Sequence, residues 1–283
     1  MKGVITREQD SIAAAQRHPT SHPAPSTQHP APSTQHRLDL PMAEWTWEPD
    51  DFAALWLTPT NERFPNPLRF TSRFAHRDDF DAHRATMRER YSPGEFEEIQ
   101  LALHTLITST VRIQIFGGTT RHENPDGGVR VYRVVGARTD QHAMSLAQAT
   151  FGNTDGPIRC RLFPTDHLPA QLADCLPPCE PGTQPQTSCH PDSDTPHEHI
   201  RRLLHRPADG GGSALLYTGP VDKPNTPLAA VQWHDITDDG RYTELRDQHS
   251  TVHPTTPTDL AAHFSTWIAN AAQPQLEVER DRT

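Results

Sequence analysis

The sequence predicts an α+β protein with one central antiparallel sheet, helices packed on it, and two halves that echo one another. Three observations predict it. Apolar residues recur at helical spacing in some segments and alternate with polar residues in others. The alternating segments follow one another across short turns, an order met most simply by antiparallel pairing. The succession helices, strands, helix then occurs a second time, without clear sequence identity between the halves.

Residues 1–41 predict a disordered Pro/Ser/Gln/His-rich tail. HPAPSTQ occurs twice in tandem there, and such a tract cannot bury enough apolar surface to offset its conformational entropy. Met42 directly precedes the first convincing element and is a candidate alternative start. One domain is expected over 42–272, with a flexible loop at 179–194 and a disordered C-terminal tail at 273–283.

Within the domain, Pro49 at a first turn followed by Phe52, Leu55 and Trp56 predicts a short amphipathic helix. Leu68–Thr71 reads as a short strand and Asp78–Arg90 as a charged helix. Ser92-Pro93-Gly94-Glu95 is a capping box with Pro at the first helical position. Phe96, Ile99, Leu103, Leu106 and Ile107 continue one buried face. Val111, Ile113 and Ile115 alternate with Arg112 and Gln114, as in a half-buried strand. Gly117–Gly128 reads as a turn-rich loop, and Val129–Val135, Ala143–Ala149 and Ile158–Phe163 as further strands. Thr165 opens a helix carrying Leu168, Leu172, Cys175 and Leu176, which Pro177-Pro178 stops. Thr195-Pro196-His197-Glu198 is a second capping box, opening a helix with Ile200, Leu203 and Leu204. Gly210–Gly212 reads as a glycine turn entering a strand at Ser213–Thr218. Leu228–Trp233 and Arg241–Arg246 flank an Asp238-Asp239-Gly240 hairpin turn. Asp259–Ala271 closes the domain as an amphipathic helix.

Composition excludes several functions. Of 283 residues, 26 are basic and 36 acidic, for a formal charge of −10; Lys is nearly absent and Arg is scattered. A phosphate backbone needs clustered cations, so nucleic acid is not an expected partner. No apolar run approaches the roughly 20 residues of a membrane span, and the N-terminus lacks a signal-peptide core, so the expected location is the cytoplasm. Four cysteines are too few for a disulfide scaffold at this size, and free thiols are expected.

The stretch Cys175–Ile200 holds three of the four cysteines and three histidines. Cys175-x3-Cys179 fits a zinc-ligand spacing, and Cys189-His190 could complete a metal-binding or redox site. Against this, Cys175 lies on an apolar helical stripe, where a free cysteine behaves as a small hydrophobe. His197 and His199 are two apart and face different sides of a helix. A second alternative is an orphan hydrolase around His234 and Asp235, but no G-x-S-x-G elbow accompanies them. No phosphate-binding or dinucleotide motif is present either. No catalytic residue, metal ligand or cofactor is therefore expected. The candidate binding residues lie instead in the loop between two strands, a common place for recognition: Gly117, Gly118, Thr119, Thr120, Arg121, His122, Glu123, Asn124, Pro125, Asp126, Gly127 and Gly128.

Several segments, in order, resemble one family. They are PLRFTSRF with the charged helix after it, VRIQIFGG, VRVYRVVGARTDQHAMSLAQ, IRCRLFPTDHLPAQLADCLPPCEPG, HIRRLLHRPADGGGSALLYTG and PLAAVQWHDITDDGRYTEL. Over about residues 44–272 the chain resembles the actinobacterial EspG family, associated with ESX (type VII) secretion. The resemblance implies a central antiparallel sheet with two helical subdomains and a quasi-two-fold repeat. It also implies a cytosolic, non-enzymatic chaperone that binds secreted PE/PPE-type or analogous type VII substrates and keeps them soluble. By the same resemblance, the loop Gly117–Gly128 and the C-terminal helical part, including Asp259–Ala271, contribute to the binding surface. The tail 1–41 and the loop 179–194 lie outside the family's core pattern.

Overall fold

Ten strands form one antiparallel sheet in a computed structural model that describes residues 43–59, 61–122, 128–189, 194–221, 226–246 and 250–272. The first half contains β1 (Ala43–Trp47), α1 (Pro49–Trp56), α2 (Arg77–Glu89), α3 (Pro93–Ile107), β2 (Val111–Thr119), β3 (Arg130–Arg138), β4 (His142–Phe151), β5 (Thr154–Pro164) and, after a 3-10 turn, α4 (Leu168–Ala173). The second contains β6 (Thr187–Cys189), α5 (Asp194–Leu204), β7 (Ala208–Thr218), β8 (Ala229–Ile236), β9 (Arg241–Arg246), β10 (Ser250–Pro254) and α6 (Pro257–Ala272). The strand order is β1-β5-β4-β3-β2-β7-β8-β9-β10-β6, so β2 and β7 join two meanders at the centre. The fold is α+β, as the alternation of patterns predicts.

Alternation along the strands sends side chains to two faces. On one, Val111, Ile113, Ile115, Val134, Leu216 and Val231 pack under α4 and α6. On the other, Val135, Ala137, Met144, Leu146, Ile158 and Leu162 pack under α1, α2 and α3 with Trp45, Trp47, Phe52 and Trp56. Farther along that second face, α5 covers Ile236, Tyr242 and Val252 with Ile200 and Leu203. Ser92 caps α3 as its motif predicts, its Oγ accepting from the Glu95 amide at 3.3 Å. The second predicted box concerns Thr195-Pro196-His197, whose side chains lie outside the described residues, as do the tails at 1–41 and 273–283.

The structure corrects several expectations. The first half of β2 is not half-buried: Arg112 and Gln114 are buried as well as Val111, Ile113 and Ile115, so the strand is covered on both sides there. The Arg112 guanidinium donates to the Gly219 and Pro220 carbonyls, and Gln114 Oε1 accepts from Asn66 Nδ2 at 2.7 Å. Leu68–Thr71 is not a strand. The Gln148 amide there satisfies both backbone groups of Arg69, at 2.8 and 2.9 Å, in place of a ladder. Gly210–Gly212 belong to β7 rather than to a turn, and Gly117–Thr119 belong to β2 rather than to the loop. The stretch 179–194, expected as loop, contains the edge strand β6 paired to β10. β1 and β10 add two strands that the sequence pattern does not predict.

Two constructions hold the halves together. The first is a lateral row of four residues across the central strands: Tyr132 opposite Gly117, Gly117 opposite Gly212, Gly212 opposite Trp233. With no side chains between them, Tyr132 and Trp233 meet over the glycines. Trp233 Nε1 donates to Tyr132 Oη at 3.2 Å, and Tyr132 Oη donates to the Gly211 carbonyl at 2.9 Å. A Cβ on Gly212 would lie 2.6 Å from Trp233 Cζ2 and 2.8 Å from the Phe116 carbonyl oxygen.

The second is a strap, residues 177–184, fastened to the β8–β9 hairpin. Arg241, 1% exposed, holds Asp235 in a bidentate pair at 2.7 and 2.9 Å, and its Nη2 also donates to the Pro177 carbonyl at 3.0 Å. The Arg241 amide donates to Glu180 O at 2.7 Å, and the Gly182 amide donates to Arg241 O at 3.0 Å. A side chain on Gly182 would overlap the Tyr242 ring. Asp239, its side chain 3% exposed, accepts from Thr183 N and Oγ1 at 2.8 and 2.9 Å, from Arg206 at 2.5 Å and from Tyr242 Oη at 3.1 Å. Burial works against its charge, but these donors outweigh burial and hold the carboxyl below its ordinary value.

Three outcomes follow. Gly212→Ala should lower stability in urea by about 1–3 kcal/mol through overpacking, where an unobstructed Gly→Ala would be neutral or stabilising. Arg241→Leu should cost about 3–5 kcal/mol by stranding Asp235, and Asp235→Leu/Arg241→Leu should recover most of it. The stability contributed by ionised Asp239 should be complete above the ordinary carboxyl value of 3.8 and be lost as pH falls from there through its lowered folded value. Melting temperatures from pH 7 to 3 should therefore fall less steeply in Asp239→Asn than in the parent.

Candidate partner-docking surface

The predicted binding segment divides in two. Gly117 and Thr119 are buried strand residues, and Gly117 carries the Tyr132 contact. Thr120, Arg121, His122 and Gly128 form the neck of the loop, while Glu123, Asn124, Pro125, Asp126 and Gly127 lie outside the described residues. The neck is anchored. Thr120 N donates to Asp209 O at 2.7 Å, Arg121 Nε and Nη2 reach Asp209 Oδ2 at 2.7 and 2.6 Å, and Arg121 Nη1 points to Cys179 Sγ at 3.5 Å. Thr237 Oγ1 donates to Asp209 Oδ1 at 2.7 Å. The hydrogen bonds from Thr237 and Arg121 hold the Asp209 carboxyl below its ordinary value. On the returning side, a His122 ring nitrogen lies 2.9 Å from the Gly128 carbonyl oxygen, and the ring packs edge-on against Phe151 at 5.3 Å. Arg121 thus ties the loop to the start of β7, to the end of β8 and to the strap.

Below the neck, on the face opposite α4 and α6, lies an open trough. One row reads Arg133, Phe116, Ser213, Gln232 across β3, β2, β7 and β8; the next reads Val131, Gly118, Gly211, His234. The glycines that let Tyr132 and Trp233 meet are neighbours of those that leave this floor bare. Phe116 stands at the centre, 50% exposed, with Val129 also exposed above it. Two hollows of about 430 and 440 Å³ flank it: Asn66, Leu68, Gln114 and Leu215 line one, and Val129, Val131, Gln232 and His234 the other. Arg133 is buried beneath, its guanidinium 5.4 Å from the Phe116 ring centre and 2.6 Å from Thr150 Oγ1. Burial, with Arg69 nearby, lowers the Arg133 pKa. An exposed apolar patch with a polar rim has the composition of a protein-docking surface.

Phe116 was missed because it directly precedes the predicted loop. A signal was present: with Val111, Ile113 and Ile115 facing inward, Phe116 falls in the phase of Arg112 and Gln114. A large aromatic at an outward position marks a surface to be covered. In α6, by contrast, Leu260, Phe264, Trp267 and Ile268 are consumed by the core.

The other constellations disperse. All four cysteines are free. Cys175 packs beside the core under α4, and burial pushes its thiol up to about 11. Cys189 is buried with Ile200 and Val252, and burial also raises the thiol of Cys179. Among the described residues, no three His, Cys, Asp or Glu side chains converge as metal ligands; His190 lies outside them. His234 and Asp235 face opposite sides of β8. Asp235 is held by Arg241, while His234 lies 3.8 Å from Glu244 with its pKa lowered by burial, so the two do not form a base and its orienting carboxylate. Among the described residues, no helix is long and apolar enough to cross a membrane.

A family model described as the EspG family matches residues 48–265, from the residue capping α1 into α6. Comparison with curated proteins finds no match. The matched span takes in the neck, the trough, the strap and the Asp235–Arg241 hairpin, and covers most of the chain: the protein belongs to the EspG family.

Proposed function

We propose that the protein is a cytoplasmic, non-enzymatic adaptor that binds a secreted PPE-like or analogous type VII substrate for an ESX secretion system. Family membership fits an ESX secretion-associated adaptor. The observation that carries the finer reading is Phe116, an exposed aromatic over a glycine floor, directly below the anchored neck of the 117–128 loop. The partner's apolar tip covers Phe116, Val129 and Val131, while the loop contributes polar contacts around it. A rigid scaffold of this kind needs no perturbed catalytic group. The quasi-two-fold repeat is part of the same proposal. It is supported by a strand order that reads alike when β2 and β7, β3 and β8, β4 and β9, β5 and β10, and β1 and β6 are exchanged.

Co-expression with PPE-like and WXG100-like proteins of the same genome tests this. A partner should co-purify, and Phe116→Asp should weaken it at least about 30-fold, the effect of losing roughly 2 kcal/mol at a central apolar anchor. Replacing 123–127 with Gly and Ser should weaken it further. No co-purifying partner, or one indifferent to both changes, would discard the reading.

A further inference from the structure

α4 has six residues where α6 has sixteen. Beyond the end of α4, strands β3, β4 and β5 are left partly uncovered on the α4 face, the side of the sheet opposite the Phe116 trough. The result is a cleft of about 680 Å³, within the size range of ligand sites. Tyr132, Val134, Ala147 and Ala149 make an apolar floor, and Cys175 closes one end. The β4–β5 ladder shifts register between Gln148 and Thr150, so its regular pairing is interrupted alongside the cleft.

Arg130, Arg159 and Arg161 line the walls of this cleft, in a chain with ten more acids than bases. Glu44 answers two of them at once, 2.7 Å from Arg161 and 3.7 Å from Arg159. Arg159 remains 56% exposed. Arg130 stacks over Phe151 at 5.4 Å and has no carboxylate within ion-pair distance among the described residues. Asp174 is the one acid among the lining residues. Cationic walls around an apolar floor are complementary to carboxylates spaced about an apolar side chain; a continuous polyphosphate has no apolar group to place on that floor.

We infer that this cleft is a second docking site, which takes a short acidic peptide segment with an apolar or aromatic anchor. The anchor covers Ala147 and Ala149, the accessible part of the apolar floor. Carboxylates on either side meet Arg130 and Arg159, while Arg161 stays with Glu44 and Gln171, 3.3 Å away, as part of the wall. The site is independent of the Phe116 trough and does not rest on the adaptor reading.

Isothermal titration of the full chain with an acetylated, amidated Glu-Glu-Phe-Glu-Glu peptide tests it. Binding should be measurable and weaken with salt. Arg130→Glu/Arg159→Glu should lower affinity at least tenfold. Arg77→Glu, exposed on α2, and Phe116→Asp should leave it unchanged. If the reversed pair fails to fold, Arg130→Gln/Arg159→Gln should still weaken binding severalfold. No binding, equal binding of the Lys-for-Glu peptide or of a ten-residue oligothymidylate, or an equal loss in Arg77→Glu would overturn the inference.

Discussion

Tyr132 and Trp233 meet across two intervening strands, and that contact sets the terms for the rest of the molecule. It needs Gly117 and Gly212 to face each other at the junction of β2 and β7, where any Cβ would collide with a ring or a carbonyl. The junction carries nine residue pairs, from Val111–Thr218 to Thr119–Gly210, and is the sheet's link between its two meanders. The glycines give up β propensity at the centre of the sheet. The indole and phenol laid over them close the core beneath α6 and the strap. The bare ladder on the reverse is the floor beside Phe116. One local constraint therefore produces both the aromatic contact on one face and the bare floor on the other.

The strap adds rigidity where recognition is proposed. Arg241 is nearly inaccessible, and its Nε and Nη2 donate to both Asp235 carboxylate oxygens and to the Pro177 carbonyl. Arg121 then joins the loop neck to Asp209, while Asp209 accepts from Thr237 just beyond β8. A neck held this way is fixed before binding, which lowers the entropic cost of using Thr120, Arg121 and His122 in recognition. The LPP-x-x-PG run thereby acquires a physical meaning. Its first proline supplies a carbonyl to a buried guanidinium, and its glycine lets the Tyr242 ring lie against the backbone.

How much of this could be read from sequence depended on whether the signal was local. α1, α2, α3 and α6 were legible because apolar spacing and caps are written in consecutive residues, as at Ser92-Pro93-Gly94-Glu95. The β8–β9 hairpin was legible from Asp238-Asp239-Gly240, where Asp238 adopts φ 57°. Elements defined by distant partners were not. Gly210–Gly212 looks like a turn until β2 is laid beside it. β1 pairs with a strand more than a hundred residues away, and three-residue β6 exists because β10 receives it. Leu68–Thr71 has strand composition, yet one glutamine side chain takes the place of a neighbouring strand. At the docking surface, the loop drew attention through its glycines, while Phe116 was set aside by the strand pattern that should have singled it out. The Arg cleft gave no local sign, since Arg130, Arg159 and Arg161 converge only when β3 and β5 are brought together by β4.

In the proposed adaptor, the glycine junction leaves a face of the sheet for the protein partner. Hydrogen exchange of the chain alone and with its co-expressed partner tests this directly. Bound partner should slow exchange at residues 116–122, 128–133 and 211–215 while leaving α1 and α2 unchanged. Protection confined to α1, α2 and α3, with residues 116–122 exchanging as in the free chain, would contradict it.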